Sequence, residues 1–297
     1  MKKRNIYLLF LLIGFSHLSF GQSKVLESLW KKQYKSEFNF HSVAQPKYLE
    51  IKNKEILQLI DDQPSFGMYH DNYFTTGVPT NEKINKSTAD AKFQISIRQR
   101  LTKSQLPLNT SFYLTYTQKS FWDIYEKSSP FEESNYKPGL TLMTPVISDN
   151  KLIGATTLSF EHESNGLDGE DSRSWNYASF SWVHFYNYNF TFQAKLWVGV
   201  VSKENHDLFH YRGYGLLALN YRNNKENLWL SLVINPNDDL TIFNTTAEIN
   251  YKLSKNDNQY LFLQWYNGYG ESLIDYDKYT SMVRVGICLK PKLRNFY

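Results

Sequence analysis

Across most of this chain, apolar and polar residues alternate in segments of roughly ten residues, and clusters of turn-forming residues separate the segments. Successive side chains of a β-strand point to opposite faces, so this alternation predicts strands with one apolar and one polar face. In residues 91–101, Phe93 and Ile95 fall on one face, whereas Gln94 and Ser96 fall on the other. The chain is therefore predicted to be all-β.

About a dozen segments of this kind can be counted, an even number that suits a barrel closed by antiparallel hairpins. They cover approximately residues 66–76, 91–101, 110–120, 137–147, 152–164, 174–187, 190–202, 211–222, 227–235, 240–253, 258–268 and 279–290. Alternation alone fits two architectures. In a soluble sandwich the apolar face points to a core, whereas in a membrane barrel it points to lipid.

The N-terminus favours the membrane barrel, because residues 1–21 are typical of a secretory signal peptide. Lys2, Lys3 and Arg4 precede an apolar run that is too short to span a bilayer as a helix, and cleavage is expected before Gln22. Residues 22–63 are predicted to be an N-terminal extension of uncertain structure, in which the stretch SKVLESLWKKQYKSEF could form a short amphipathic helix. Residues 64–297 are predicted to form the barrel domain.

Composition supports the same choice. The fraction of aromatic residues is 16%, although the mean hydropathy of the chain is −0.51. Transmembrane barrels combine polar lumens and loops with aromatic belts, and they commonly end on an aromatic residue, as this chain does at Tyr297. We therefore predict a transmembrane antiparallel β-barrel of about 12 strands, in a bacterial outer membrane. A soluble secreted β-sandwich is the alternative.

Charge and cysteine content exclude several functions. The predicted signal peptide contains three of the 33 basic residues and none of the 29 acidic residues, so the remainder is nearly neutral and nucleic-acid binding has no electrostatic support. The single cysteine, Cys288, excludes an intrachain disulfide framework and a cluster of thiolate metal ligands.

The stretch HESNG, residues 162–166, ends one predicted strand and contains a candidate catalytic pair. Alternation places His162 and Ser164 on the apolar face with Phe160, and it places Asn176 on the apolar face of the next strand. A hydroxyl, an imidazole and an amide are the nucleophile, general base and orienting group of an acyl-transfer site. An amide suits the lipid side, where a carboxylate is costly to desolvate. An ester of a membrane amphiphile is the natural substrate.

The chain resembles the bacterial outer-membrane phospholipase A family. The resemblance rests on HESNG and on blocks that follow the family's order, namely YTQKSFW at 116–122, SSPFEESNYKP at 128–138, SRSWN at 172–176 and YNGYGESLIDY at 266–276. It implies a calcium-dependent homodimer that hydrolyses acyl esters of phospholipids and lysophospholipids in the outer membrane. It also implies that Ser164 is the nucleophile, His162 the base and Asn176 the orienting residue, and that the N–H of Gly166 contributes to the oxyanion hole.

The resemblance also implies a calcium site. Its ligands would be the hydroxyl of Ser172, the backbone carbonyl of Leu167 and, from the partner subunit, the hydroxyl of Ser128. Leu167 replaces the family's usual arginine, which a carbonyl ligand should tolerate, and the acidic loop at 168–171 differs from the family's pattern. Gln118 corresponds to a polar residue of the family's dimer face, although an ordinary position at the barrel rim explains it equally well. Two alternatives remain. One is a catalytically silent outer-membrane barrel, either a pore or a structural protein, and the other is a soluble esterase.

Overall fold

The computed structural model describes residues 53–254 and 258–291, and within them one antiparallel sheet closes on itself. Three short 3-10 helices lie in its loops, at Pro107–Asn109, Gly169–Asp171 and Lys203–Asn205. The other elements are α1 (Asn53–Asp61), β1 (Phe66–Met68), β2 (Asn72–Pro79), β3 (Asp90–Arg100), β4 (Ser111–Trp122), β5 (Phe131–Ser148), β6 (Lys151–Ser164), β7 (Ser174–His184), β8 (Phe190–Val201), α2 (Leu208–Arg212), β9 (Gly215–Arg222), β10 (Leu228–Pro236), β11 (Phe243–Lys252), β12 (Gln259–Gly268) and β13 (Thr280–Leu289).

The sheet closes because β2 pairs with β13 on one side and with β3 on the other, while each strand from β3 to β13 pairs with the next. β1 and β2 both pair with β3, one after the other, so together they occupy a single strand position. The result is a closed 12-strand antiparallel barrel, which confirms the predicted fold. The sandwich alternative is wrong, since one sheet accounts for every strand of the described residues.

Strand boundaries differ from the prediction where the local pattern is weak. The segment predicted at 66–76 is divided between β1 and β2. β5 begins at Phe131 rather than at 137, because its first residues carry polar side chains on both faces and therefore lack the apolar alternation on which the prediction depends. β9 begins later than predicted because α2 takes up the preceding residues.

The two faces of the barrel have opposite character. Apolar side chains such as Phe160, Phe180 and Leu196 are 55%, 51% and 64% exposed on the outer surface. Polar side chains such as Lys92 and Glu161 are buried in the lumen. An apolar exterior around a polar interior is the arrangement of a transmembrane barrel.

The longest loops lie at one end of the barrel, which is typical of the extracellular end of outer-membrane barrels. The loops at this end are residues 80–89, 123–130, 165–173, 202–214, 237–242 and 269–279, and the two longest are 202–214 and 269–279. Most hairpins at the opposite end are shorter, for example at 149–150, although the loop between β3 and β4 at that end, residues 101–110, is also long. The candidate catalytic residues lie at the long-loop end, where β6 ends and β7 begins.

α1 belongs to the predicted N-terminal extension, and no pattern in the sequence predicted it. The guanidinium of Arg100 donates to the backbone carbonyls of Ile60, Asp61 and Gln63 at 2.6 to 2.8 Å, so a cation caps the negative end of the helix. Neither helix described is long and apolar enough to cross a membrane. The signal peptide, the amphipathic helix predicted after Gln22 and the C-terminal aromatic residue lie outside the described residues, and the domain boundaries stay a prediction.

Candidate active site

Strand alternation determines where His162 and Ser164 point. Their neighbours Glu161 and Glu163 are both 5% exposed and face the lumen, whereas Phe160 is exposed on the outside. His162 and Ser164 share the face of Phe160 and are half-buried on the outer wall. The imidazole is therefore accessible from the lipid side of the barrel, as the sequence predicts.

Asn176 lies directly opposite His162 in the register of β6 and β7. The distance between His162 Nδ1 and Asn176 Oδ1 is 2.9 Å. An amide oxygen can only accept a hydrogen bond, so with this orientation of the amide Nδ1 carries the proton. Nε2 is then left with the lone pair that a general base needs.

Ser164 lies on the same outer face but makes no hydrogen bond to His162 within the described part of the chain. Two residues of strand separate their Cα atoms by about 6.6 Å, so contact depends on the side-chain rotamers. Catalytic hydrogen bonds are often long before substrate binds. The structure thus brings His162 and Asn176 together and places Ser164 beside them without the third contact.

The backbone ladder is interrupted beside the imidazole. Tyr136 pairs with Ser164 and Gly139 pairs with Glu161, but no pair forms between these two positions. Pro138, which has no N–H to donate, occupies the gap. A shallow depression, which the sequence pattern did not predict, lies on the outer wall next to His162. It is lined by Leu114, Pro138, Leu140, Phe160, Val198 and Val200.

The loop between β6 and β7, residues 165–173, is organised by Asn165, which is 3% exposed. Its Oδ1 accepts hydrogen bonds from the N–H groups of Leu167 and Arg173, at 3.3 and 3.0 Å, and its Nδ2 donates to the carbonyl of Asp171 at 2.8 Å. One buried amide therefore holds both limbs of the loop together. The sequence indicates Asn165 only as a turn former.

Gly166 follows Asn165 with φ of +69°, a left-handed conformation that glycine adopts without strain. A Cβ at this position would lie 3.2 Å from the ring of Tyr136. Its N–H donates to no other group within the residues described. The backbone N–H is thus free to donate to a ligand, as an oxyanion-hole donor must be.

Comparison with known proteins identifies the family to which this arrangement belongs. The family model of phospholipase A1 matches residues 66–289, which is almost the whole barrel. The chain belongs to the phospholipase A1 family. A Neisseria meningitidis member of the family is 30% identical to this chain. The matched region is 72% of this chain but only 58% of that relative's length.

Solved structures of phospholipase family members have the same fold. The Salmonella typhi outer membrane phospholipase, solved as a dimer with bound calcium, is 29% identical with a TM-score of 0.67, over 76% of this chain and 92% of that one. The Escherichia coli outer membrane phospholipase A, solved with an active-site asparagine replaced by alanine, has the same identity, TM-score and coverage. This phospholipase family member is thus an outer-membrane β-barrel protein.

The predicted calcium ligands of this family member have suitable chemistry. Asn165 brings the limb that carries Leu167 close to the limb that carries Ser172. The hydroxyl of Ser172 has no hydrogen-bond partner among residues 53–254 and 258–291. Hydroxyl and carbonyl oxygens are ligands that Ca²⁺ accepts. No group of three or more His, Cys, Asp or Glu side chains in these residues is placed to hold a metal.

Ser128, the ligand predicted to come from the partner subunit, lies in the loop at 123–130, at the same end of the barrel. Its φ is +73°, and the indole N–H of Trp122 donates to the carbonyl of Ser129 at 2.8 Å. This hydrogen bond stabilises the turn, and Ser128 is exposed at its surface.

Gln118 faces outward on β4. It is hydrogen-bonded to Tyr116 and Ser120, at 3.2 and 3.1 Å, so it is a fixed polar group on the lipid side.

Proposed function

We propose that the chain hydrolyses acyl ester bonds of phospholipids and lysophospholipids at the outer surface of its barrel, with Ser164, His162 and Asn176 as the catalytic group. The observation that carries the proposal is the 2.9 Å hydrogen bond between His162 and Asn176 on the lipid-facing wall. Polar groups withdrawn from water are costly unless they are hydrogen-bonded, and this hydrogen bond offsets part of that cost for both side chains. Membership of the phospholipase A1 family gives the reaction class.

In the proposed reaction, Nε2 of His162 takes the proton of the Ser164 hydroxyl while Oγ attacks the ester carbonyl carbon. The N–H of Gly166 donates to the oxygen that becomes negative. His162 then returns the proton to the departing alcohol, and a water molecule activated by the same ring hydrolyses the acyl-enzyme. Asn176 keeps the proton on Nδ1 throughout, so that Nε2 remains the base.

Calcium is proposed to be held by the carbonyl of Leu167 and the hydroxyl of Ser172, together with the hydroxyl of the partner's Ser128 and water. When bound there, it would supply positive charge near the oxyanion. A site without a carboxylate ligand binds Ca²⁺ weakly. Dimerisation would then complete the site, and the dimeric, calcium-bound Salmonella typhi protein supports this part of the proposal. Asp168, Glu170 and Asp171 are exposed and better explained as a solvated loop.

Replacing Asn176 with alanine tests the observation on which the proposal depends. We expect kcat to fall about ten- to a hundredfold, because a lost hydrogen bond of about 1 to 3 kcal/mol leaves the tautomer and orientation of the ring unfixed. Thr156→Ala is the matched control, since Thr156 lies on the outer face of the same hairpin away from the site. The measurement is hydrolysis of a defined phospholipid in detergent with calcium. Equal activity of both variants would contradict the role of Asn176.

Mixing two inactive variants tests whether the dimer shares its calcium site. Ser164→Ala lacks the nucleophile, and Ser128→Ala lacks the ligand that each chain gives to the other. In the mixed dimer, the Ser128→Ala chain keeps its own nucleophile and receives the partner's Ser128. At a calcium concentration where neither variant alone is active, an equal mixture should recover about a quarter of wild-type activity, because half the dimers are mixed and each has one complete site.

A matched mixture provides the control for this complementation. The Ser128→Ala chain is given a second change, His162→Asn, and is mixed with Ser164→Ala in the same way. No chain then contains an intact nucleophile and base together, so activity should stay at background. Failure of the first mixture to gain activity, when crosslinking shows that mixed dimers form, would contradict a calcium ligand shared between subunits.

A further inference from the structure

The residue between the proposed base and nucleophile faces the lumen. Glu163 is 5% exposed, and its cross-strand partner Trp175 is 3% exposed and adjoins Asn176. The indole N–H of Trp175 donates to Glu163 Oε2 at 3.0 Å. The inner face of the β6–β7 hairpin is thus joined by a hydrogen bond directly behind the outward-facing catalytic residues.

A buried guanidinium completes this inner contact. Arg212, the last residue of α2, donates from Nη1 to Glu163 Oε2 at 2.9 Å and from Nε to the carbonyl of Gly270 at 3.3 Å. Its guanidinium carbon lies 5.6 Å from the centroid of a Trp175 ring. The side chain is 12% exposed and is held in place by groups from three separate parts of the chain.

The contact with Gly270 leaves no space for a side chain. Gly270 has φ of +73°, and a Cβ there would lie 2.8 Å from Cγ of Arg212. The backbone of the loop between β12 and β13 therefore packs directly on the arginine. Glycine is the residue that permits both this backbone conformation and this close approach.

The loop that contains Arg212, residues 202–214, and the loop that contains Gly270, residues 269–279, fold inward. Together they form a plug at the long-loop end of the lumen. Leu208 and Leu273, both fully buried, pack with Trp175 in one apolar cluster. Glu271 is also buried, with ion pairs to Lys92 at 2.7 Å and to Arg284 at 2.6 Å. Glu271 lies in the loop between β12 and β13, and these ion pairs anchor the plug to the barrel wall.

We infer that Arg212 is a positioning residue for the proposed reaction: through Glu163 it holds the strand between His162 and Ser164 against the plug. The inference rests on the proposed function. An unpaired carboxylate at residue 163 would seek water, and any rotation of that strand residue moves both neighbours on the opposite face. Misplacing reacting groups by about 1 Å can cost about a hundredfold in rate, so the effect should appear in kcat.

Substitutions at both ends of the ion pair test this role. Arg212→Gln should lower kcat about ten- to a hundredfold and leave KM within about twofold, because the lipid-facing wall that binds substrate is unchanged. Arg212→Lys should recover part of the loss, since an ammonium can still pair with Glu163. Labelling of Ser164 by a fluorophosphonate, which reports nucleophile activation without phospholipid, should slow in parallel with kcat.

The double variant Glu163→Gln/Arg212→Gln separates positioning from stability. It buries no unpaired charge, so its resistance to thermal unfolding in detergent should recover toward wild type, whereas kcat should stay low. Lys290→Gln is the matched control, because Lys290 forms a buried ion pair with Asp71 away from β6 and β7. This change should lower thermal stability and leave kcat of the folded fraction unchanged.

The outcomes are distinguishable from failure of the proposed function. An unchanged kcat in Arg212→Gln, or an equal loss of kcat in Lys290→Gln, would overturn the positioning role while Ser164→Ala remained inactive. Full activity of Ser164→Ala would instead overturn the proposed function.

Discussion

Ser164→Ala is expected to lower phospholipid hydrolysis by at least about a thousandfold, more than the loss expected from Asn176→Ala or Arg212→Gln. Loss of the nucleophile removes the covalent pathway, and serine hydrolases retain only a small residual rate from binding and oxyanion stabilisation. The measurement is release of fatty acid from a defined phospholipid in detergent with calcium, using protein whose folding has been checked by circular dichroism.

Ser174 provides a closely matched control. It is the cross-strand partner of Ser164, it is half-buried on the same outer face, and it belongs to the same hairpin. Ser174→Ala should retain nearly full activity. A reversed result would assign the nucleophile to β7, and wild-type activity in both variants would favour a different nucleophile or a contaminating enzyme.

Removing calcium is expected to lower activity about a hundred- to a thousandfold, the range found when an oxyanion-stabilising group is lost. The assay compares purified protein in detergent with chelator, and then with calcium or magnesium restored in excess. Calcium should restore the rate. Magnesium should not, because it demands a smaller, near-octahedral shell and dehydrates reluctantly. Equal hydrolysis with and without chelator would refute the calcium requirement.

A pair of variants then locates the calcium site within the loop. Ser172→Ala should raise the calcium concentration needed for half-maximal activity, because it removes one of the few protein ligands proposed. Asp168→Asn should leave that concentration unchanged, because the side chain of Asp168 is exposed and is not proposed as a ligand. If Asp168→Asn raised it as much as Ser172→Ala does, the acidic loop would be part of the site.

The location of the site outside the barrel has a consequence for how it is stabilised. Lipid can contact His162 from one side, but only protein can support it from the other. The buried contacts of Glu163 with Trp175 and Arg212 provide that support at 3.0 and 2.9 Å. Buried polar side chains in the lumen of this barrel therefore support the part of the outer wall that carries the candidate site.

The sequence by itself determined the strands, their faces and the outward direction of His162, Ser164 and Asn176. These are local properties, because a strand with period two assigns each side chain to a face from its nearest neighbours. Alternation also determined that Glu163 points inward, without indicating what it meets there.

Only the tertiary structure decided which distant groups meet. Arg212 lies 49 residues after Glu163, and the carbonyl of Gly270 lies a further 58 residues along the chain. These contacts depend on barrel closure and on the inward fold of two loops, and neither leaves a periodic pattern in the sequence. The interruption of the β5–β6 ladder at Pro138 depends on which strand pairs with β5. The hydrogen bonds of Asn165 depend on how the two limbs of its loop come together, and neither can be read from local sequence. The face to which a strand side chain points is encoded by adjacent residues. Contact between loops depends on the closed barrel that brings them together.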